Sequence, residues 1–563
     1  MGHDKRMRMK KRLCWLYILS GLLLGDCLST TATPAVWQWS VLIESVVSSE
    51  NMGHPRAFLW IPSQCRQIRA VVIGQHNMEE EPILEHPLFR DMLSRLNMAA
   101  VWITPGIDLV FRFDKGAGEH FNAMMVALAR ESGYSELEYV PIVPIGHSAA
   151  ASYPWNFAAW NSQRTLAAIS ISGQWPFYQS PEQPDWHNRS IDGVPGLVVL
   201  GEYEWADERA AEGLRHRRQH PNIPLTMLAE PGAGHFDISD EKVAFLSLYL
   251  KKVAQYRLSD SPFLEGPVSL KPIDPSQQGW LAERWRINQK PTYPPAPVKQ
   301  YAGNPEEAFW FFDEEIASAA DRFQARYRGQ RPQLLGFIQG GYLVEQDKRT
   351  HQQVTLRFLP LDDGLTFKLT GTFLDAVPEG RPERWSGLKA GSPIDHACTP
   401  ERITIQRICG PVEKLSEDTF ALRFYRIGMD NRKRSNEIWL AAVHPGDEQH
   451  KRAVQQAVMH FPLRNTEGAD QHIAFPLISD QPASVRSIPL QAVSDADVPV
   501  YYYVLAGPAE VERNNLLITE IPPRSRFPIK ITVVAWQWGR SIEPKLKSAE
   551  AVERTFYLVK GES

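Results

Sequence analysis

A serine on a tight turn, a carboxylate some fifty positions later and a histidine in a loop of small residues are the groups in this chain whose types and order could do nucleophilic chemistry. Residues 140–145 are a short apolar run. They enter Gly146-His147-Ser148-Ala149-Ala150 and continue into an Ala-rich helical stretch. A serine whose Oγ must project above a sheet needs small residues two positions before and after it, and Gly146 and Ala150 meet that need. The pattern is Gly-x-Ser-x-Ala, one methyl group away from the usual second glycine. A serine is a weak nucleophile unless an imidazole takes its proton, and the imidazole needs a carboxylate to hold its tautomer. The apolar run Gly196–Leu200 ends in Gly201-Glu202-Tyr203-Glu204, and Pro224–Leu228 leads into Glu230-Pro231-Gly232-Ala233-Gly234-His235-Phe236. Ser148 is therefore the candidate nucleophile, Glu204 the candidate acid and His235 the candidate base. Glu202 and Asp207 share the acid's loop and stand as alternative acids, and Asp237 lies close to the base. Taken singly, each of these residues is ordinary turn or loop chemistry; their order after three apolar strands carries the reading.

With these motifs the chain resembles the α/β-hydrolase superfamily, and within it the compact esterase-like members, over residues 35–260 or so. The resemblance implies a mostly parallel sheet with helices on both faces and a nucleophile, acid, histidine order along the chain. It also implies an oxyanion hole made by the N–H of the residue after the nucleophile, here Ala149, and an N–H from the loop after a central strand. Arg69–Ile73 reads as that strand, and Gly74-Gln75-His76-Asn77 follows it. The backbone N–H of Gln75 or His76 is the expected second donor, with Asn77 as a side-chain donor.

The elements that position these residues occupy under half of a 563-residue chain. That length suggests several domains. Hydrophobic residues at 43% and charged residues at 22% suit a folded globular protein, and a formal charge of −4 with no basic stripe argues against nucleic-acid binding. The one strongly basic segment, Lys5 to Arg12, precedes the short apolar run Leu13–Leu24. This reads as a secretory signal peptide over residues 1–35, with small residues at Thr30, Ala32, Thr33 and Ala35, and predicts an exported protein with no stable membrane span after cleavage. Export permits disulfides, and Cys398 and Cys409 flank a strand-like segment, leaving a bonded pair or free thiols both open. No Cys-x-x-Cys, His-Glu-x-x-His or calcium-loop pattern occurs, so neither a metal nor a cofactor is expected.

The catalytic domain is expected over residues 36–262, followed by a Pro-rich linker over 263–304. Asn304, Pro305, Glu306 and Glu307 then read as the start of a helix that Gly329 ends, with Phe312, Ile316, Ala320, Phe323 and Tyr327 as its apolar stripe. Alternating segments such as Val354–Phe358 and Thr366–Thr370 make residues 305–467 a helix plus β-rich middle domain. Residues 468–563 resemble bacterial Ig-like domains, and their regularly spaced alternating strands, Ile529–Ala535 among them, fit a small β-sandwich.

The expected function is that of an exported serine hydrolase cleaving a carboxylic ester. A small ester or an esterified glycan of acetyl or feruloyl type is the expected partner, since Trp155, Trp160, Trp175, Trp186 and Trp205 lie near the candidate loops in sequence and could stack on sugar rings. A surface glycan-binding or adhesion protein with a degenerate hydrolase domain, and a serine exopeptidase, are the alternatives.

Overall fold

Six near-continuous apolar runs in the first half of the chain become strands buried at every residue, because both faces of their sheet are covered. The computed structural model describes residues 37–48, 50–259 and 266–560, so the expected signal segment lies outside the described residues. Strands β1 (Trp39–Leu42), β2 (Arg56–Trp60), β3 (Ala70–Gln75), β4 (Met98–Thr104), β5 (Ile142–His147), β6 (Ala168–Ile171), β7 (Gly196–Gly201) and β8 (Leu225–Glu230) form one sheet in the order β1-β2-β4-β3-β5-β6-β7-β8. The first two are antiparallel to their neighbours, and β3 to β8 run parallel. This is the strand order of the α/β-hydrolase fold.

Helices α1 (Glu80–Glu85), α2 (Pro87–Leu96), α3 (Ala117–Ser132), α4 (Tyr153–Trp160), α5 (Ala206–Gln219) and α6 (Asp240–Arg257) connect or follow these strands. Phe121, Met124 and Leu128 of α3 pack on one face of the sheet with Val71, Ile73, Val101 and Ile103. Phe89 and Leu93 of α2, with Val243, Leu246 and Leu250 of α6, pack on the other with Val72, Ala100, Trp102 and Ile145. The parallel arrangement brings the loops after β3, β5, β7 and β8 to one edge, where ligands of such sheets bind.

The Pro-rich stretch expected as a linker is instead part of the core around the eight-stranded sheet. Strands β9 (Trp280–Glu283), β10 (Ala296–Pro297) and β11 (Ala308–Phe311) form a small sheet in the order β10-β9-β11, with Pro297 of β10 at its edge, where a missing N–H costs little. Leu281, Trp285 and Phe309 to Phe312 are buried with the residues of α6 and β8. The addition covers the open edge of β8: Thr226 Oγ1 donates to the carbonyl of Trp310 at 2.7 Å and Ala229 N–H donates to Gln324 Oε1 at 3.0 Å. The helix expected from Asn304 also differs. Asn304 and Pro305 open only a single 3-10 turn, the aromatic run 309–311 is strand, and helix α7 (Glu314–Gln324) starts at Asp313, whose side chain accepts from Ile316 N–H. Two cap-like motifs nine residues apart compete here, and the buried aromatic run decides between them.

The β-rich region is built on a five-stranded sheet, in the order 346–347, 353–357, 453–460, 437–444, 404–409, with Phe337, Leu356, Phe367, Leu440 and Met459 in its core. Beyond it, a four-stranded sheet that includes 501–506, 529–536 and 552–559 faces a three-stranded sheet across Ile488, Leu516, Ile531, Val533 and Phe556. The opposite face of strand 529–536 does not reach solvent: Val534, Trp536 and the following Trp538 are buried in the core of the middle region. Cys65, Cys398 and Cys409 are all free thiols. Cys398 is exposed while Cys409 points inward against Met78, so no bond staples the strand between them. No helix among the described residues is long and apolar enough to cross a membrane.

Candidate active site

Strand β5 ends at His147, and Ser148 follows with φ of 53°, a left-handed conformation that aims its side chain out of the sheet. The turn is tight enough that a Cβ on Gly146 would lie 2.0 Å from the carbonyl oxygen of Ala150, so only glycine fits there. Ser148 Oγ stands 2.8 Å from His235 Nε2, and the Nδ1 of the same ring is in hydrogen-bond contact with Glu204 Oε1. Ser148 is half-buried, whereas His235 and Glu204 are buried. Burial works to raise the Glu204 carboxyl, but the His235 ring beside it and hydrogen bonds from His235 and Ser172 outweigh that and hold it below the usual carboxylate range. An ionised carboxylate, an imidazole whose Nδ1–H it accepts and a serine on the far nitrogen form a relay that can activate the hydroxyl.

The other carboxylates considered for this role are engaged elsewhere. Glu202 is buried, ion-paired to Lys451 at 2.7 Å and accepting from Gly232 N–H at 2.9 Å. Asp237 is bound by both terminal nitrogens of Arg452. Asp207 lies in the first turn of α5, facing Arg284. The structure thus brings Ser148, His235 and Glu204 together and leaves Glu202, Asp207 and Asp237 off the imidazole.

The loop expected to supply the second oxyanion donor differs from its sequence reading. His76 N–H donates to the carbonyl of Ile103 at 2.7 Å, which removes it from the candidates, and Gln75 is the last buried residue of β3, in register with Ile103. The Gln75 side chain is spent on both backbone groups of Asp108. Asn77 donates through its side chain to the carbonyl of His147 at 2.8 Å. Ala149 is exposed directly after the serine.

The residues passed over in sequence are three successive glutamates at the start of α1, all buried. Glu80 accepts from His147 N–H at 2.6 Å through one oxygen, and from Asn77 N–H and Met78 N–H at 3.1 and 2.9 Å through the other. Burial raises its carboxyl to about 7 against the pull of these N–H groups. Glu79 accepts from Asp237 N–H and from Lys242 Nζ, at 2.7 and 2.8 Å, which ties down the loop that carries His235. Burial lifts Glu79 to about 8, while Lys242, whose burial is outweighed by the facing Glu230 and Glu79 carboxylates, is held as a cation. Glu81 faces Arg407 and Arg426 and accepts from the Tyr425 hydroxyl, all three from the β-rich region. His147 completes the network: its buried ring is held neutral by desolvation, and Nε2 contacts the carbonyl of His235 at 2.8 Å. The signal in sequence was the run Glu79-Glu80-Glu81 beside an apolar strand, since three consecutive carboxylates are buried only with partners.

The tryptophans near the candidate loops are mostly structural. Trp155, Trp175 and Trp186 are buried in the core around the eight-stranded sheet, Trp175 stacking on Phe309. Trp205 is half-buried, with the guanidinium groups of Arg381 and Arg384 over its ring at 5.0 and 5.1 Å.

Glu204, His235 and His351 each offer a ligand atom within 4.8 Å of the others. The arrangement does not suit a metal ion. The two imidazoles stack at 4.1 Å with 13° between their planes, so their in-plane lone pairs cannot converge on one point, and both nitrogens of His235 are engaged.

No family model matches the chain, and no curated protein matches it. Among solved structures it is similar to the fluorophosphonate-binding serine hydrolase FphF of Staphylococcus aureus, at 11% identity over 38% of this chain and 96% of that one, with a TM-score of 0.26. A dienelactone hydrolase of Anabaena variabilis shares 14% identity over 39% of this chain and 96% of that one, at a TM-score of 0.27. A hyperthermophilic esterase of Pyrobaculum calidifontis shares 15% over 38% and 85%, at 0.26. The strand order and register carry the fold.

Proposed function

We propose that this protein is a serine hydrolase that cleaves carboxylic esters. The observation that carries the reading is the hydrogen-bonded line from Ser148 through His235 to Glu204, with the serine on a left-handed turn at the end of a parallel strand. In this reading Ser148 Oγ attacks the ester carbonyl while His235 Nε2 takes its proton. Glu204 holds the ring and stabilises the imidazolium, and the N–H of Ala149 stabilises the oxyanion. His235 then gives the proton to the leaving alkoxide, and a water activated by the same ring releases the acid.

The narrower form of the proposal is an exported enzyme acting on a small ester or an ester carried by a glycan, with an Ig-like sandwich as its last unit. The charged and apolar run at residues 5–24 supports export. The facing sheets of the last unit support the sandwich. The deciding experiment is labelling with a fluorophosphonate, followed by mapping of the modified peptide and hydrolysis of p-nitrophenyl acetate. Label on Ser148, absent in Ser148→Ala together with turnover, is the expected result. An unlabelled wild-type protein would favour the binding-protein alternative, and a panel of acetylated and feruloylated glycans beside simple esters reads the alcohol side.

A further inference from the structure

We propose that His351, a residue of the β-rich region, is a positioning residue for His235, so that this region completes the active site. The inference rests on the serine-hydrolase reading above. The His351 ring lies on the His235 ring with centroids 4.1 Å apart and 13° between planes, while Phe236 meets His235 edge-on at 4.4 Å. A base that takes and gives a proton must keep its plane along the line from Ser148 to Glu204. A flat ring on its face resists tilting without competing for either nitrogen.

His351 is itself held in a defined state. Arg381 Nη1 donates to His351 Nδ1 at 3.2 Å, which makes that nitrogen an acceptor and puts the ring proton on Nε2. Burial, with the neighbouring His235 and Arg381 charges, lowers the His351 pKa to about 4, so no second cation faces the imidazolium.

The backbone here is strained and tied down. His351 and Gln352 have φ of 51° and 59°, a left-handed pair unusual outside glycine. Gln456 Nε2 donates to the carbonyl of His351 at 2.5 Å, and Gln455 Nε2 to that of Gln352 at 2.8 Å. Both glutamines lie on strand 453–460, which follows directly on Lys451 and Arg452, the residues paired with Glu202 and Asp237. This strand and the two residues before it therefore fix His351, the loop of the acid and the loop of the base.

The test compares His351→Asn, which removes the ring while tolerating a left-handed backbone, with His351→Phe, which restores a ring. The rate of fluorophosphonate labelling at Ser148 and the kcat and KM for p-nitrophenyl acetate are measured for both and for wild type. Expected for Asn is a fall of roughly 3- to 10-fold in labelling rate and kcat at unchanged KM, the range of a lost aromatic pair, with Phe recovering most of it. Should His351→Asn melt below the assay temperature, Arg381→Ala leaves the strained backbone in place and is expected to slow labelling in the same sense. Equal labelling of wild type and the variant, or a Phe variant no better than Asn, overturns the role of His351. Absence of label on Ser148 in wild type overturns the hydrolase reading instead.

Discussion

Glu80 and His147 are joined by a 2.6 Å hydrogen bond from the His147 N–H, and the same carboxylate holds the loop after β3 through Asn77 and Met78. A buried side chain thus couples the turn that carries the serine to the loop that faces it. Both oxygens are used, and every partner is a donor.

Glu80→Gln tests this coupling. An amide has one accepting oxygen, so in either orientation its NH2 faces an N–H and a buried donor is left unsatisfied, at a cost of roughly 1–3 kcal/mol. Tm should fall by the equivalent of that cost, and the His147–Ser148 turn, freed from the bridge, should turn over p-nitrophenyl acetate more slowly than in wild type. A variant with wild-type kcat and Tm would show that the bridge does not set the geometry of the serine.

The acid and its neighbour in the same turn should separate by phenotype. Glu204→Gln keeps the fold but lets the imidazole take the wrong tautomer, and kcat should fall by roughly 10²–10⁴ with little change in Tm. Glu202→Gln breaks a buried pair with Lys451 and should lower stability by about 3–5 kcal/mol, with a far smaller loss of kcat in the folded protein than Glu204→Gln shows. Thermal melts and steady-state kinetics on both variants give the comparison, and the opposite pattern would move the acid's role to Glu202.

The buried glutamates also make stability depend on pH with a definite sign. Glu79, raised to about 8 by burial, binds a proton in the folded state at pH values where the unfolded chain, at about 4.5, has lost it. Its contribution is fully present below about 4.5 and is lost as pH rises to about 8; Glu80, raised to about 7, acts in the same direction. Lys242, raised above its ordinary range, acts only at more alkaline pH. The Tm of wild type should therefore drop more steeply between about pH 5 and 8 than that of Glu79→Gln, which cannot titrate. Parallel Tm profiles would mean that Glu79 is ionised throughout.

The parallel sheet was legible because buried strands leave continuous apolar runs, and the residues now hydrogen-bonded as Ser148, His235 and Glu204 stood out because each closes such a run. What sequence reading missed is what local pattern cannot encode. Prolines argued for a linker where β9 to β11 form core, because an edge strand tolerates them and the burial of Trp310 and Phe311 depends on α6 and β8 far away in the chain. Arg434 with Glu50, Arg407 with Glu81 and Arg452 with Asp237 pair across hundreds of residues, and His351 reaches His235 from a hairpin with no motif of its own.

The same lesson changes the expectation for the last unit, residues 468–563, which as an independent sandwich would be removable without loss of activity on a small ester. Trp536 packs edge-on against Phe424 at 4.9 Å, and Trp538 meets Phe461 and Phe358 at 5.7 and 5.6 Å, so the core of the middle region is closed by the last unit. The last unit also reaches the end of α3 and the turn after it, where Arg526 N–H donates to the carbonyl of Ser132 at 3.0 Å and Arg524 pairs with Glu136. Removing a buried tryptophan side chain costs about 3–5 kcal/mol, and two of them approach the whole stability of an ordinary domain. A chain ended at residue 467 should thus be insoluble or molten and inactive on p-nitrophenyl acetate. The double substitution Trp536→Ala and Trp538→Ala in the full chain should lower Tm sharply without changing KM in whatever fraction stays folded. Purification, thermal melts and turnover of both decide it. A soluble, fully active chain ending at residue 467 would show that the middle core closes without these tryptophans and that the last unit is an appendage after all.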